Sequence, residues 1–244
     1  MERTSDRNGH TGIPTTKVVV TDPPRAELEA VDTLAGYGVA TVHEALGRTC
    51  YLGPGLRPIQ DGARAGGTAV TVQCWPGDNL MIHAAIEQCR PGDLLVVTTT
   101  SPCTDGLFGE LFATALVHRG VRGLVTTTGV RDVADLRSMG FPVWSAAVSA
   151  QGSVKATAGA VNVPIVVGGQ IVRAGDAVLA DDDGVVCVPR ERVGGAVTAG
   201  QARLDKEEAA RRAFREGELG LDRYGLRPAL SELGVRYVPA SEAS

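Results

Sequence analysis

The spacing of apolar residues changes along the chain, and each change predicts a different element. Residues 26–36 ("AELEAVDTLAG") and 79–89 ("NLMIHAAIEQC") place apolar side chains three and four positions apart, which predicts amphipathic helices. Residues 65–74 ("AGGTAVTVQC") alternate in the manner of a strand. The 31 glycines recur beside short valine-rich runs, in turns such as "PGD" and "DDDG". The pattern therefore indicates many short elements joined by tight turns.

The middle of the chain has the pattern of a β-α-β unit. A strand at 93–100 ("DLLVVTTT") is followed by a loop at 101–109, a helix at 110–120 and a second strand at 123–129. A crossover of this kind joins parallel strands, so the loop and the end of the second strand are expected at the same edge of a sheet. Ligands of open α/β sheets bind at this edge, outside the carboxyl ends of the strands.

The same pattern divides the chain into three regions. Residues 1–24 are predicted to form a polar N-terminal tail with a short strand at "KVVVTD", and residues 25–198 to form an α/β domain. Residues 199–244 are predicted to form a helical C-terminal extension. Its leucines, tyrosines and valines have no evident place in the β-rich core, so we expect it to pack on a neighbouring subunit or to wrap its own.

Composition and charge exclude several classes of protein. The net charge of -4, the small number of aromatic residues (ten) and the absence of a basic run argue against nucleic acid as a partner. No stretch approaches the roughly 18 apolar residues of a membrane span, and the first 17 residues lack the apolar core of a signal peptide, so a cytoplasmic protein is expected. The five cysteines lack CxxC spacing, which indicates reduced thiols.

Charged residues cluster where the strand at 123–129 is predicted to end. Arg131 and Asp132 can converge on one ligand only if the strand stops at Gly129; the alternative is an aspartate that merely caps the next helix. At the neighbouring strand end, "GLFGEL" offers backbone N–H groups at a helix N-terminus, and Glu110 opens that helix. A guanidinium, two carboxylates and an anion-binding turn suit a 2-oxo acid bound with Mg²⁺, which would stabilise an enolate.

These residues resemble a known family. The run "GELFATALVHRGVRGLVTTTGVRD" has an acidic residue, twenty intervening residues and then Arg-Asp, as in the divalent-metal-dependent pyruvate aldolases of the RraA-like superfamily. "GVATVHEALGR", "PGDNLMIHAAIEQ", "MGFPVWS" and "ADDDGVVCVP" follow the same family in order. The resemblance spans about residues 25–240 and is to the 4-carboxy-4-hydroxy-2-oxoadipate / 4-hydroxy-4-methyl-2-oxoglutarate aldolases.

The resemblance implies a fold, an assembly and a set of roles. It implies a swivelling β/β/α domain with a C-terminal helical extension, trimers or hexamers with sites between subunits, and Mg²⁺ or Mn²⁺ as cofactor. It implies that Asp132 binds the metal directly, that Arg131 binds the pyruvyl carboxylate and steadies the enolate, and that Glu110 acts through metal-bound water. The implied substrate contacts are Arg131, Gly109, Glu110, Leu111, Phe112 and Asn79.

The implied reaction is the cleavage of 4-hydroxy-2-oxo di- or tricarboxylic acids through a metal-stabilised pyruvate enolate, with oxaloacetate decarboxylation as a companion activity. Many relatives carry an acidic residue at the position of Thr127, which leaves the substrate and the proton relay open. The same superfamily contains a regulator that inhibits a ribonuclease, and this non-catalytic function is the alternative. The regulator lacks a long helical C-terminal extension, which favours the enzyme.

Four further residues are read as structural. A Schiff-base aldolase needs a lysine nucleophile, and Lys155 is the only contender, but the reading as surface or interface charge is preferred. His43 and His83 lie on helices with apolar faces and are predicted to pack. Cys103 adjoins the proposed anion loop without a partner histidine near it in sequence, so a nucleophilic role is not predicted.

Overall fold

The computed structural model describes residues 16–242 and shows an α/β fold, as the sequence predicts. The strands are β1 (Val18–Val19), β2 (Arg57–Pro58), β3 (Ala65–Cys74), β4 (Asp93–Thr99), β5 (Gly106–Phe108), β6 (Leu124–Val130), β7 (Val143–Val148), β8 (Ala160–Val161), β9 (Ile165–Val167), β10 (Gln170–Val172), β11 (Ala177–Asp181) and β12 (Gly184–Val188). The α-helices are α1 (Leu28–Tyr37), α2 (Val39–Ala45), α3 (Leu80–Gln88), α4 (Glu110–His118), α5 (Val133–Ser138), α6 (Val193–Arg215), α7 (Gly220–Arg223) and α8 (Arg227–Glu232).

One mixed sheet organises the chain up to residue 200. Its strand order is β1-β8-β3-β4-β6-β7-β2, and the neighbours β3, β4, β6 and β7 are parallel. Strand β11 pairs antiparallel with β3 and forms a hairpin with β12, while β9 and β10 form a separate two-stranded sheet. Central parallel strands are covered on both faces, which explains why β4 is a nearly continuous apolar run.

Alternate residues of β4 serve two different core layers. Leu95 and Val97 pack in one cluster with Ile82 of α3 and Leu116 of α4. On the other face of the sheet, Leu94 and Val96 pack in a cluster that contains Trp144 of β7 and Ile165 of β9. This is the two-residue alternation of a strand, here with both faces buried.

The predicted β-α-β unit is confirmed, because β4 and β6 are parallel and joined through α4, with Leu95 opposite Leu124. Two details of the prediction are wrong. The segment 101–109 is not all loop, since it contains the short strand β5, and β6 continues through Gly129 to Val130.

Close backbone approach explains the extra strand. Gly106 of β5 lies opposite Gly129 of β6. A Cβ on Gly129 would lie 2.2 Å from the Thr104 carbonyl oxygen, and one on Gly106 would lie 2.3 Å from the Ser149 carbonyl oxygen. Only glycine fits at these two points, so β5 can pair beside the end of β6. Three residues are too few to show a strand period in the sequence.

A buried ion pair ties the N-terminal part of the described chain to the sheet. Arg25 donates from Nε and Nη2 to the two carboxylate oxygens of Asp93, at 2.8 and 2.9 Å, and Asp93 also accepts from the Thr68 hydroxyl. The predicted strand in "KVVVTD" is present as β1. The rest of the predicted tail, residues 1–15, lies outside the described residues.

The chain separates into two compact units, one ending at residue 200 and one beginning at residue 201. The second unit contains most of α6 together with α7 and α8, which confirms the predicted C-terminal helices. Ion pairs join Arg223 to Glu218 and Arg227 to Asp222 within it. All five cysteines are free thiols, as predicted. Within residues 16–242, no helix combines the length and the apolar character needed to cross a membrane.

Candidate active site at the carboxyl edge of the sheet

A cavity of about 290 Å³ opens where the central parallel strands end. Its walls come from the start of α3, the start of α4, the residues after β6 and the segment before β8. The lining residues are Asn79, His83, Ile86, Gly109, Leu111, Phe112, Ala115, Arg131, Asp132 and Lys155. The cavity therefore lies at the edge where the β-α-β pattern predicts a ligand.

Six of the seven residues singled out from the sequence line this cavity: Asn79, Gly109, Leu111, Phe112, Arg131 and Asp132. Glu110 contributes differently. Its carboxylate accepts a hydrogen bond from the Thr114 hydroxyl one turn along α4, at 2.6 Å, while its backbone N–H donates to Oδ2 of Asp132 at 3.2 Å. In this chain the main chain of Glu110, not its carboxylate, contacts Asp132.

The carboxylate of Asp132 sits against the N-terminus of α4. Gly109 makes this possible, because a Cβ at position 109 would lie 2.3 Å from Oδ2 of Asp132. Gly109 has an extended backbone (φ -154°), so the space it leaves, not an unusual dihedral, is what the site requires. The helix N-terminus presents backbone N–H groups and a partial positive charge to the carboxylate.

Asp132 has a left-handed backbone, with φ 56° and ψ 39°. It occupies the N-cap position of α5, yet its side chain makes no capping hydrogen bond to that helix. The alternative that Asp132 only caps the next helix is thus right about its position. It is wrong about the side chain, which accepts a hydrogen bond from the N-terminus of α4 and not from α5. The left-handed turn, and not a strand end at Gly129, is what brings the two charged side chains together.

Arg131 keeps most of its hydrogen-bonding capacity. Its backbone N–H donates to the carbonyl oxygen of Phe108 at 2.9 Å, which fixes its main chain on β5. Its Nε lies 3.7 Å from Oδ2 of Asp132, and its side chain is 45% exposed. In the part of the chain that the structure describes, the guanidinium has no other charged partner, so its planar fork is available to a carboxylate ligand.

Two residues that the sequence led us to treat as structural also line the cavity. His83 packs its ring 4.6 Å from that of Phe112, and Lys155 lies close enough to His83 to affect its charge. Burial and then the positive charge of Lys155 lower the pKa of His83. The position of Lys155 at the cavity could not be predicted from the sequence, because "AQGSVKAT" has neither helical nor strand periodicity.

The position of Lys155 is fixed by the backbone on both sides of it. The buried carboxylate of Asp78 accepts hydrogen bonds from the N–H groups of Ala156 and Thr157, at 2.8 and 2.7 Å. Val154 bonds to Gly77 and Asn79 through its N–H and carbonyl groups. Burial raises the pKa of Asp78, but the backbone hydrogen bonds outweigh burial and leave that pKa below its ordinary value.

A divalent cation would find one carboxylate on the cavity wall. Among residues 16–242 no three His, Cys, Asp or Glu side chains are grouped to hold a metal ion. Asp132 is 40% exposed, and its Oδ1 accepts no hydrogen bond from the described residues. Mg²⁺ typically keeps several waters and binds through one or two carboxylates, so Asp132 fits such an ion.

The threonine run of β6 is used within the sheet. Thr126 and Thr128 are buried, and their hydroxyls share a hydrogen bond of 2.7 Å where the pairing of β6 with β7 shifts register. Thr127 donates to the hydroxyl of Thr98 on β4 at 3.0 Å. None of the three lines the cavity. Thr127, at the position where the resemblance implies an acidic residue in many relatives, thus bonds to the neighbouring strand β4.

Comparison with known proteins finds two relatives that carry the same name. The chain is 26% identical over 200 residues to a Halalkalibacterium halodurans protein named "Putative 4-hydroxy-4-methyl-2-oxoglutarate aldolase", covering 82% of this chain and 95% of that protein. It is 34% identical over 157 residues to a Burkholderia multivorans protein of the same name, covering 63% of this chain and 95% of that protein.

A solved structure shows the same fold. Streptomyces coelicolor RraAS2, described as an unusual member of the RNase ES inhibitor RraA protein family, matches with a TM-score of 0.70 and 29% identity. The match covers 78% of this chain and 99% of that chain. The sequence pattern of the RraA-like family, described as Aldolase/RraA, matches residues 39–187, a range that contains every residue lining the cavity. The predicted RraA-like fold is therefore confirmed, and this protein belongs to the RraA-like family.

Proposed function

We propose that this protein is a divalent-metal-dependent lyase that cleaves 4-hydroxy-2-oxo di- or tricarboxylic acids to pyruvate and a second oxo acid. The observation that carries the proposal is the meeting of Arg131, Asp132 and the N-terminus of α4 around one cavity. The aldolase names of the two relatives support it.

The pyruvyl end of the substrate is assigned to Arg131 and the α4 turn. The guanidinium of Arg131 can bind the C1 carboxylate through two parallel N–H bonds. Gly109 leaves room for the carboxylate of Asp132 itself, and the backbone N–H groups at the start of α4 favour negative charge there. These contacts orient the 2-oxo group toward the carboxylate of Asp132.

The reaction needs a place for the electrons of the C3–C4 bond. When that bond breaks, the C4 hydroxyl loses its proton, C4 becomes a carbonyl and the electron pair moves to the C2 oxygen as a pyruvate enolate. A Mg²⁺ or Mn²⁺ ion held by Asp132 would supply Lewis acidity at the 2-oxo group. Arg131 stabilises the negative charge that develops at that end of the substrate. Transfer of a proton from solvent to C3 then gives pyruvate, which balances the proton that the C4 hydroxyl releases.

Oxaloacetate decarboxylation is expected from the same site. Loss of CO₂ from C4 of oxaloacetate leaves its electron pair on C3 and gives the same enolate as aldol cleavage. The contacts assigned to Arg131 and Asp132 are therefore common to the two reactions, and only the leaving group differs.

A Schiff-base mechanism is the chemical alternative, because Lys155 lines the cavity. In that mechanism the lysine amine would replace the metal as the electron sink. The proposed mechanism predicts that borohydride with pyruvate leaves the enzyme active and unmodified, while a chelator removes activity. A borohydride-trapped adduct on Lys155 would overturn the metal-dependent mechanism.

A non-catalytic regulator that binds a ribonuclease is the second candidate function. The similarity to RraAS2 favours it, since that protein is described as belonging to a family of RNase ES inhibitors. A regulatory function, however, does not explain why Arg131 and Asp132 meet at a cavity.

A coupled pyruvate-release assay distinguishes the two functions. We expect turnover of one or more 4-hydroxy-2-oxo acids, loss of turnover with EDTA and recovery with Mg²⁺ or Mn²⁺. Absence of pyruvate release over the whole panel, at every metal concentration, would refute the lyase.

A further inference from the structure

Besides His83, whose ring packs against Phe112, two polar groups of the cavity lie outside the set assigned to the pyruvyl end. One is the amide of Asn79 at the start of α3, and the other is the ammonium of Lys155. A backbone hydrogen bond holds the two residues side by side, because the N–H of Asn79 donates to the carbonyl oxygen of Val154, the residue before Lys155, at 3.0 Å.

The amide of Asn79 has one unused acceptor. Its Nδ2 donates to the carbonyl oxygen of Leu107 at 3.0 Å, which fixes the orientation of the amide. Its Oδ1 is buried and accepts no hydrogen bond from residues 16–242, and the residue as a whole is only 4% exposed. A buried acceptor without a donor is costly, and because Asn79 lines the cavity, a bound ligand could supply the missing O–H or N–H donor to its Oδ1.

Lys155 forms no ion pair with any of the described residues, although it lines the cavity. The hydrogen bonds from Ala156 and Thr157 to Asp78 hold its backbone in place, so its presence at the cavity does not depend on a flexible loop. With Arg131 it gives the cavity two cations, against the one carboxylate of Asp132. This excess of positive charge suits a ligand with more than one carboxylate.

We propose that Asn79 and Lys155 form the subsite that binds the end of the substrate opposite the pyruvyl carboxylate. Oδ1 of Asn79 accepts the hydrogen bond of the 4-hydroxyl group, and the ammonium of Lys155 pairs with the distal carboxylate. This assignment rests on the proposed lyase function and adds to it the residues that select a hydroxylated, doubly charged 2-oxo acid.

The two reactions of the site separate the role of Asn79 from a structural one. Aldol cleavage uses a substrate with a 4-hydroxyl group, whereas oxaloacetate has none. We expect Asn79→Ala to lower kcat/KM for aldol cleavage at least about 30-fold more than for oxaloacetate decarboxylation, because only the first reaction loses a hydrogen bond to a buried acceptor. A misfolded fraction lowers both activities by the same factor and cancels in the ratio.

Asn162 supplies a matched control. It is also a buried asparagine with an unpaired Oδ1, and its Nδ2 donates to the carbonyl oxygen of Val20 at 2.8 Å, but it does not line the cavity. Asn162→Ala should leave the ratio of the two activities at the wild-type value. An Asn79→Ala enzyme with the wild-type ratio would overturn the assignment of Oδ1.

The role of Lys155 is tested by binding two matched ligands that cannot be cleaved. 2-Oxoglutarate and 2-oxopentanoate have the same five-carbon chain and lack a 4-hydroxyl group, and they differ in the distal carboxylate. By calorimetry with Mg²⁺ present, we expect the wild-type protein to prefer 2-oxoglutarate by about 10-fold or more, as for one charge-assisted contact. Lys155→Met should bring the two dissociation constants within about 2-fold of each other, and Lys155→Arg should keep the preference.

The outcomes separate this inference from the lyase proposal. A wild-type protein without preference for 2-oxoglutarate, or a Lys155→Met variant that keeps the full preference, would overturn the role of Lys155 whether or not the protein is an aldolase. If the wild-type protein releases no pyruvate from any substrate, the lyase proposal itself is refuted.

Discussion

Gly109 and Asp132 contact each other so closely that a single methyl group at position 109 would lie 2.3 Å from Oδ2 of the carboxylate. Nothing in the sequence links these residues directly, since they are 23 positions apart. Their contact joins the N-terminus of α4 to the turn after β6, and it puts the carboxylate beside the backbone N–H of Glu110. The site therefore depends on a residue without a side chain.

The first prediction follows from that contact. Gly109→Ala must displace the Asp132 carboxylate, and a shift of about 1 Å in a catalytic group lowers kcat/KM by about 100-fold. The Mg²⁺ concentration that gives half-maximal activity should rise in the same variant. Gly36→Ala is the control, since a Cβ there meets nothing within 4 Å. Steady-state kinetics over a Mg²⁺ series will check the result, and a fully active Gly109→Ala enzyme would show that the contact is not part of the site.

A second prediction concerns the left-handed backbone of Asp132. Asparagine tolerates φ near 56°, whereas alanine in this region costs about 1–2 kcal/mol. We expect Asp132→Asn to lose at least about 1,000-fold in kcat, through loss of the carboxylate, while its thermal stability stays near wild type. Asp132→Ala should be equally inactive and less stable. An Asp132→Asn enzyme that retains metal-dependent turnover would remove Asp132 from the metal site.

The third prediction tests the planar fork of Arg131. A lysine keeps the charge but cannot form two parallel bonds to a carboxylate. Arg131→Lys should therefore lose roughly 2 to 4 kcal/mol in kcat/KM, or about 30- to 1,000-fold. Kinetics of pyruvate release will measure this, with Arg137→Lys as a control. Arg137 donates to the carbonyl oxygen of Ile59 and does not line the cavity. Near-wild-type kinetics for Arg131→Lys would place the guanidinium outside the substrate site.

The sequence predicted the β-α-β unit and the edge of the sheet because both follow from local periodicity and from the handedness of crossovers. Leu95 and Leu124 show this, since each lies in a run of β-branched and apolar residues that reads as a buried strand. The strand β5 was missed because its pairing depends on close contact between Gly106 and Gly129, which are distant in sequence.

The candidate site was predictable in part for the same reason. Arg131, Asp132 and Gly109 follow strand ends, so topology alone brings them to one edge. Lys155 reaches the cavity through hydrogen bonds between its neighbours and Asp78, a contact across 78 positions that no local pattern encodes. The carboxylate of Glu110 illustrates the opposite case, since its motif position does not reveal that it bonds to Thr114.

The fourth prediction concerns pH and the segment that carries Lys155. The pKa of Asp78 is lower in the folded protein, so its ionised form stabilises the fold above the ordinary pKa of about 3.9. This contribution is lost as the pH falls through the lower folded value. Asp78→Asn should therefore reduce the free energy of unfolding at pH 7, and the difference from wild type should shrink on acidification. Urea unfolding over a pH series will measure it, and a constant difference would contradict the assignment.

The last prediction concerns assembly. Leu111 is 79% exposed at the cavity mouth, and Val148 and Val154 are also exposed. In the second unit, Leu233 and Tyr237 are exposed as well. Apolar side chains of this kind usually mark an interface, and together with the family resemblance they lead us to expect a trimer or hexamer in which the C-terminal segment contacts a neighbouring subunit.

Truncation after Thr198 should then lower both the mass measured by light scattering and the turnover of pyruvate release. Paired Leu233→Ser and Tyr237→Ser substitutions remove apolar surface without removing the helices, so they separate the loss of an interface from the loss of a segment. We expect the double variant to shift toward smaller species at micromolar concentration, because each buried large side chain contributes about 1.5–3 kcal/mol to association. A monomer with wild-type activity, full-length or truncated, would show that one chain builds the whole site.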